Sequence, residues 1–270
     1  MNNRRSFLSK LLTVGVGTAL ASNVKASPFQ LISADPLPSL KGRKILFVYG
    51  GWDGHEPEKF RDYLTPWLKE QGAEVILSPN LDPYVDENLM STIDLFIQIY
   101  TIMEITVEQE KGLLTAIKNG AGMAGWHGGM ADAFRKNPEY QYMVGGQWVA
   151  HPGGVIDYSI KILDTGDAIT EGQRDFKITT EQYYMHVDPN VNVLATTQFN
   201  GTHDAWIEGC TMPVIWKKMY GKGRIFYTAL GHNLQHVLDA KEGMTIIKRG
   251  MQWASASKYL PAEKWLSPKY

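Results

Sequence analysis

A single cysteine, Cys210, stands in the 270 residues of the chain. One thiol excludes an internal disulfide even in an oxidising compartment, and it excludes structural zinc of the cysteine type. A basic surplus is also missing, since 27 Lys and Arg stand against 28 Asp and Glu for a formal net charge of −1. No basic face for nucleic acid follows from that balance, and no nucleic-acid partner is expected. Internal repeats and low-complexity segments are absent. The apolar run from Leu11 to Ala21 is too short to span a bilayer as a helix.

What is present begins with that run. Arg4, Arg5 and Lys10 precede it, and Val24-Lys25-Ala26 offers a small residue before Ser27, so residues 1–26 read as a signal peptide. Asn3-Arg4-Arg5-Ser6-Phe7-Leu8 resembles the twin-arginine export signal, with Asn3 in place of the usual Ser or Thr and Lys10 one place late. An ordinary secretory leader with two arginines is the alternative. Either way the expected product is exported, to a bacterial periplasm, with no membrane span in the mature chain. Its cleavage removes four basic residues and no acid, leaving a more acidic chain of ordinary single-domain size.

Residues 27–42 read as a polar, proline-containing linker. Lys44 to Tyr49 is then a continuous apolar run closed by Gly50-Gly51, the pattern of a parallel strand buried on both faces. Phe60, Leu64, Trp67 and Leu68 recur at helical spacing, with Pro66 as a kink or late start and Gly72 as a stop. Glu74 to Leu77 and Asp94 to Ile99 read as the next strands. Thr106 with Gln109 forms a capping box for a helix through Ile117, closed by Asn119-Gly120. This order predicts an α/β fold, a doubly wound and mostly parallel sheet with ligands at the carboxyl ends of its strands. The second half is less regular. Ile156 to Leu163 and Val193 to Thr197 read as strands, Met212 to Trp216 and Arg224 to Leu230 as a hairpin, and Ala240 to Ser255 as a final helix.

The chemistry is expected at Gly120-Ala121-Gly122-Met123-Ala124-Gly125-Trp126-His127-Gly128-Gly129. Glycines on both sides let a strand turn sharply and push out the residue at its tip. Elbows of this kind in α/β enzymes usually present Ser or Cys; here the tip is His127. His55, His151 and His232 also follow predicted strands or adjoin glycines. Three neutral imidazoles, or two with Glu181, would bind zinc or a similar divalent ion and leave a position for water or a sugar oxygen. His127, His151 and His232 are the candidate metal ligands. Without a metal, His127 near its ordinary pKa of about 6.5 would act as general acid or base, oriented by Glu181. The candidate catalytic set is His127, Glu181 and His232. Asp53, His55, Trp126, Tyr183 and Tyr184 are candidates for holding substrate. No nucleotide cofactor is expected.

Gly50-Gly51 with His55, the Gly125-Trp126-His127 elbow, His151-Pro152, Glu181 to Tyr184, and Tyr220-Gly221-Lys222-Gly223-Arg224-Ile225-Phe226-Tyr227-Thr228-Ala229-Leu230-Gly231-His232 together resemble the trehalose-utilisation, ThuA-like family. The resemblance covers residues 43–256, with 257–270 left as a tail. It implies the class I glutamine amidotransferase-like fold, a flavodoxin-like sheet with an added antiparallel piece. It also implies a role in using trehalose or related glucosides, often beside dehydrogenases that oxidise the sugar at carbon 3. The amidotransferase-like superfamily uses a Cys at the elbow, where this chain has His127, so thioester chemistry is not expected. His186 and Asn233 stand where some members carry an acid. Three functions remain open from sequence: an enzyme hydrolysing, eliminating or isomerising trehalose-like or 3-keto-glucosides, a non-catalytic protein binding a sugar or a partner, and a metal-dependent amidase. Homo-oligomerisation is open as well.

Overall fold

The computed structural model describes residues 36–263. The leader expected over 1–26 lies outside the described residues, as do 27–35 of the linker and 264–270 of the tail. In chain order the first half is β1 (Lys44–Gly51), α1 (Pro57–Glu70), β2 (Glu74–Ser78), α2 (Glu87–Thr92), β3 (Leu95–Thr101), α3 (Val107–Lys118) and β4 (Gly122–Trp126). The short α4 (His127–Ala131) and then α5 (Pro138–Val144) follow. The second half is β5 (Gly146–Ala150), β6 (Val155–Ile162), β7 (Phe176–Glu181), β8 (Tyr184–Val187), β9 (Asn192–Gln198), β10 (Thr211–Tyr220), β11 (Gly223–Thr228), α6 (Leu234–Asp239) and α7 (Lys241–Ala254).

Nine strands form one sheet in the order β2-β1-β3-β4-β11-β10-β9-β6-β7, and β5 pairs with β8 as a separate two-stranded ribbon. From β2 to β11 every pairing is parallel; from β11 to β7 every pairing is antiparallel. The expected α/β sheet with an antiparallel addition is therefore the observed one. All seven residues of β3 are buried, as are all five of β4, because helices cover both faces of the parallel part. Pro66 lies inside α1 without ending it. The capping box at Thr106 is made in full, with Gln109 answering the Thr106 backbone N–H.

Small residues in β4 serve close packing. A Cβ on Gly122 would lie 1.9 Å from the Ala254 carbonyl oxygen, and one on Gly125 would lie 2.7 Å from Met130 Cβ. With glycine at 122 and 125, α7 and α4 press directly on the β4 backbone at those two points, and His127 follows immediately after Trp126. The chain also reverses its direction of winding between the neighbours β1 and β3. In such sheets the carboxyl ends at that reversal are the usual ligand position. Among the described residues no helix is long and apolar enough to cross a membrane.

Candidate functional site

Three non-glycine residues have left-handed backbone: Glu56 at φ 51°, Ile102 at φ 55° and His127 at φ 48°. Each lies just beyond the carboxyl end of a parallel strand, β1, β3 or β4. Such a conformation costs roughly 1–3 kcal/mol per residue, most for a β-branched side chain such as Ile102. The strain is thus gathered at one rim of the sheet.

His127 leaves β4 at that rim and is buried. Its Nδ1 lies 2.7 Å from the Ala229 carbonyl oxygen, which can only accept, so Nδ1 carries a proton. The Tyr227 hydroxyl donates to the His127 carbonyl at 3.2 Å, and the Tyr183 ring stacks on the imidazole with centroids 3.9 Å apart. Ring and backbone are fixed together. In the neutral ring Nε2 is then a bare lone pair, and it faces Glu181 Oε2 at 3.0 Å.

Burial pushes the Glu181 carboxyl up, but the His127 and His232 rings beside it outweigh that and hold the group well below the usual carboxylate range. Burial pushes His127 down, against the pull of Glu181 and Ala229. A lone pair and an ionised carboxylate in contact repel unless a proton or a cation stands between them, and burial opposes the proton. His232 Nδ1 meets the same carboxylate oxygen at 3.3 Å and has no hydrogen-bond partner among the described residues. His55 is buried with Nδ1 2.8 Å from the Thr101 hydroxyl, which leaves its Nε2 uncommitted. Burial first, then His127 and His232, lower its pKa to about 2. One ligand atom each from His55, His127, Glu181 and His232 all lie within 4.8 Å of one another. Three imidazoles around one carboxylate, two of them held by the Ala229 carbonyl and the Thr101 hydroxyl, are a donor set for a transition-metal ion.

The tight cluster takes His55 where sequence reasoning names His151. His151 instead stands at the edge, its Nε2 3.8 Å from the other Glu181 oxygen and its side chain 39% exposed. Its ring lies parallel to Tyr183 and tilts against Trp148. Tyr183 is in the site as the His127 stacking partner. Trp126 is a correction: it is wholly buried against Phe47 and Phe60, and its indole has no face to offer a substrate. Tyr184 packs on Phe199 in the ribbon instead of on the histidines, and Asp53 is exposed on the 3-10 turn before His55. His186 is exposed on β8, while His236 stacks on His232 and reaches Thr180.

Sequence reasoning missed Thr101, the Ala229 carbonyl and Trp52. Thr101 had a signal, as the polar residue closing the apolar run of β3. Trp52 had a weaker one, its position directly after Gly50-Gly51.

A family model described as trehalose utilisation, ThuA, matches residues 44–254. No curated protein matches. Among solved structures, a ThuA-like protein from Bacteroides uniformis ATCC 8492 is similar at 14% identity and TM-score 0.67, covering 82% of this chain and 94% of its own. A ThuA-like protein from Parabacteroides merdae ATCC 43184 is similar at 20% identity and TM-score 0.65, over 81% of this chain and 91% of its own. A cytoplasmic protein from Salmonella typhimurium LT2 shares the fold at 14% identity and TM-score 0.54, over 79% and 98%. The structures speak for the fold, and the family match, which runs from the start of β1 to the end of α7, shows that the chain belongs to the ThuA, trehalose-utilisation family.

Proposed function

We propose that His55, His127, Glu181 and His232 bind a divalent metal ion such as zinc, and that the site transforms an oxidised glucoside, a 3-keto-trehalose or related 3-keto-glucoside. The observation that carries the metal is the bare Nε2 of His127 held against an ionised Glu181. The sugar rests on the family's trehalose-utilisation description. Export to the periplasm is inferred from the charged start and apolar run of residues 1–26.

A ketone at carbon 3 acidifies the C–H at carbon 2, and loss of that proton permits departure of the glycosidic oxygen from carbon 1. A bound ion would supply Lewis acidity toward the ketone oxygen. The chain's own residues do the rest. Ala229 keeps the His127 imidazole in the ligand tautomer, and Thr101 holds the His55 ring in place. Tyr183 walls one side of His127. His151, accessible and beside Glu181, is the group suited to take or return a proton.

The test is proton NMR of the purified protein with 3-keto-trehalose in deuterated buffer, with and without a chelator. Loss of the anomeric signal or deuterium uptake beside the ketone, abolished by chelator and restored by zinc, is the expected result. Turnover untouched by thorough chelation would remove the metal; an unchanged spectrum in every sample would remove the enzyme and leave a binding protein.

A smaller prediction concerns Gly128. A Cβ there would lie 2.4 Å from His55 Cε1 and 3.1 Å from the Tyr183 hydroxyl. Gly128→Ala is expected to push His55 off Thr101 and weaken zinc binding about ten- to a hundredfold, the usual effect of disturbing a ligand's support. Competition titration against a chromophoric chelator reads this directly, and unchanged affinity would take His55 out of the ligand set.

A further inference from the structure

An exposed indole stands beside the cluster. Trp52 follows β1 directly, and its side chain meets the His55 ring edge to face with centroids 4.8 Å apart. Although 48% exposed, it is held at several points. Its backbone N–H donates to the Thr101 carbonyl at 3.1 Å, and its carbonyl accepts from the His55 N–H at 3.4 Å. The residue is thus tied to the same two residues that set the His55 imidazole.

The seat of the indole is Gly54. A Cβ on Gly54 would fall 2.3 Å from Trp52 Cζ2 and 2.4 Å from Cη2, inside the ring. Gly54 does not have a left-handed backbone, so its conformation alone does not call for glycine. What calls for it is the six-membered ring of the indole, which occupies the place a Cβ would take. The indole is therefore packed on the turn and against His55, and the rest of its surface faces solvent at the rim where the strained residues gather.

A flat, rigid aromatic face next to a polar site suits a pyranose. Glucose carries its hydroxyls equatorially, so both faces of its ring present C–H groups to an aromatic surface while the hydroxyls stay in water. We propose that Trp52, seated on Gly54, is the stacking platform for a glucosyl ring of the substrate and a determinant of its affinity. The proposal rests on the sugar reading of the same site and adds the residue that recognises the ring. Tyr183 and Trp148 serve less well, Tyr183 being covered by His127 and Trp148 lying under Arg135.

The experiment measures the half-saturation concentration for 3-keto-trehalose and, in parallel, the zinc affinity of the intact protein. Trp52→Ala is expected to raise half-saturation about tenfold, the scale of one lost aromatic stack with its buried area, with zinc affinity unchanged. Trp52→Phe should recover most of the loss. Gly54→Ala retains the indole but removes its seat, and is expected to raise half-saturation as Trp52→Ala does. Wild-type half-saturation in Trp52→Ala would overturn the platform while leaving the sugar reading intact, as expected of an indole kept for contact with another protein chain. A wild-type protein that binds zinc yet neither binds nor turns over the keto sugar would overturn the sugar reading and the platform together.

Discussion

His127→Asn is expected to lower zinc affinity about a thousandfold or more and to abolish turnover of the keto sugar, with the protein still folded. Loss of a residue that merely supports a ligand costs ten- to a hundredfold, and His127 is a ligand in its own right on this reading. Asparagine is the appropriate replacement because His127 has φ 48°. Asn tolerates left-handed backbone better than most residues, whereas a β-branched replacement would add strain and confuse the outcome. The variant forfeits the stack on Tyr183 and part of the ring's burial, about 2–3 kcal/mol on the scale of large-to-small core changes. The extensive parallel core around β3 and β4 should survive that loss. Glu181→Gln is the companion, since it keeps the shape and removes the charge. It too should weaken zinc strongly, because Nε2 of His127 and Nδ1 of His232 converge on one Glu181 oxygen. Calorimetric zinc titration, with circular dichroism as the folding control, checks both. Zinc bound by His127→Asn within a few-fold of wild type would show that the four groups are not a metal site.

The parallel half of this fold is legible because its strands are buried on both faces and so read as unbroken apolar runs, Lys44 to Tyr49 most plainly. His127 is legible as well, as a lone polar residue set among glycines at a strand end, although the structure shows that those glycines also serve close packing. The cluster of four candidate ligands is legible only in part, for His127, His232 and Glu181 stand out in the sequence while His55 takes the place expected for His151. Its members come from the ends of β1, β4, β7 and β11; the strand order sets β1, β4 and β11 within one parallel run, whereas β7 is the edge strand four places from β11, so the strand order by itself does not put Glu181 beside the histidines. The support of His55 by Thr101 spans 46 residues and exists because β1 and β3 are neighbours. The Ala229 carbonyl that sets the His127 tautomer is a backbone atom, which residue type cannot reveal. Trp126 and Trp52 make the same point in opposite directions. Both are tryptophans beside glycines at a strand end, yet one is the last residue inside the sheet and the other the first beyond it. A single position of register decides which indole is core and which is free. The β5–β8 ribbon escapes notice for a related reason: its strands are only five and four residues long, too short for period-two alternation to be distinguished.

In the metal-free protein, lowering the pH from 8 to 5 is expected to remove about 2 kcal/mol of stability through His55 alone. His55 has its folded-state pKa lowered from 6.5 to about 2, first by burial and then by His127 and His232. At pH 8 the ring is neutral in both folded and unfolded chains, so it contributes no pH dependence there. Below 6.5 the unfolded chain takes up a proton that the folded protein refuses, and stability falls by roughly 1.4 kcal/mol for each further pH unit until the folded pKa is approached. His127, also lowered by burial, adds loss of the same sign over the same window. Glu181 enters later. Its folded pKa lies below the ordinary carboxylate value of about 4.5, so the stability it contributes is present above that value and is lost as pH falls beneath it. Zinc should flatten the upper part of this curve, because an ion on the ring nitrogens competes with protons and stabilises only the folded state. Urea unfolding at pH 8, 6.5 and 5, in chelator and in zinc, measures each contribution. His55→Gln should lose less stability than wild type between pH 6.5 and 5 in chelator. An equal loss in the two proteins would mean that His55 is already charged or solvated in the fold, and with it would go the picture of a buried, neutral imidazole waiting for a cation.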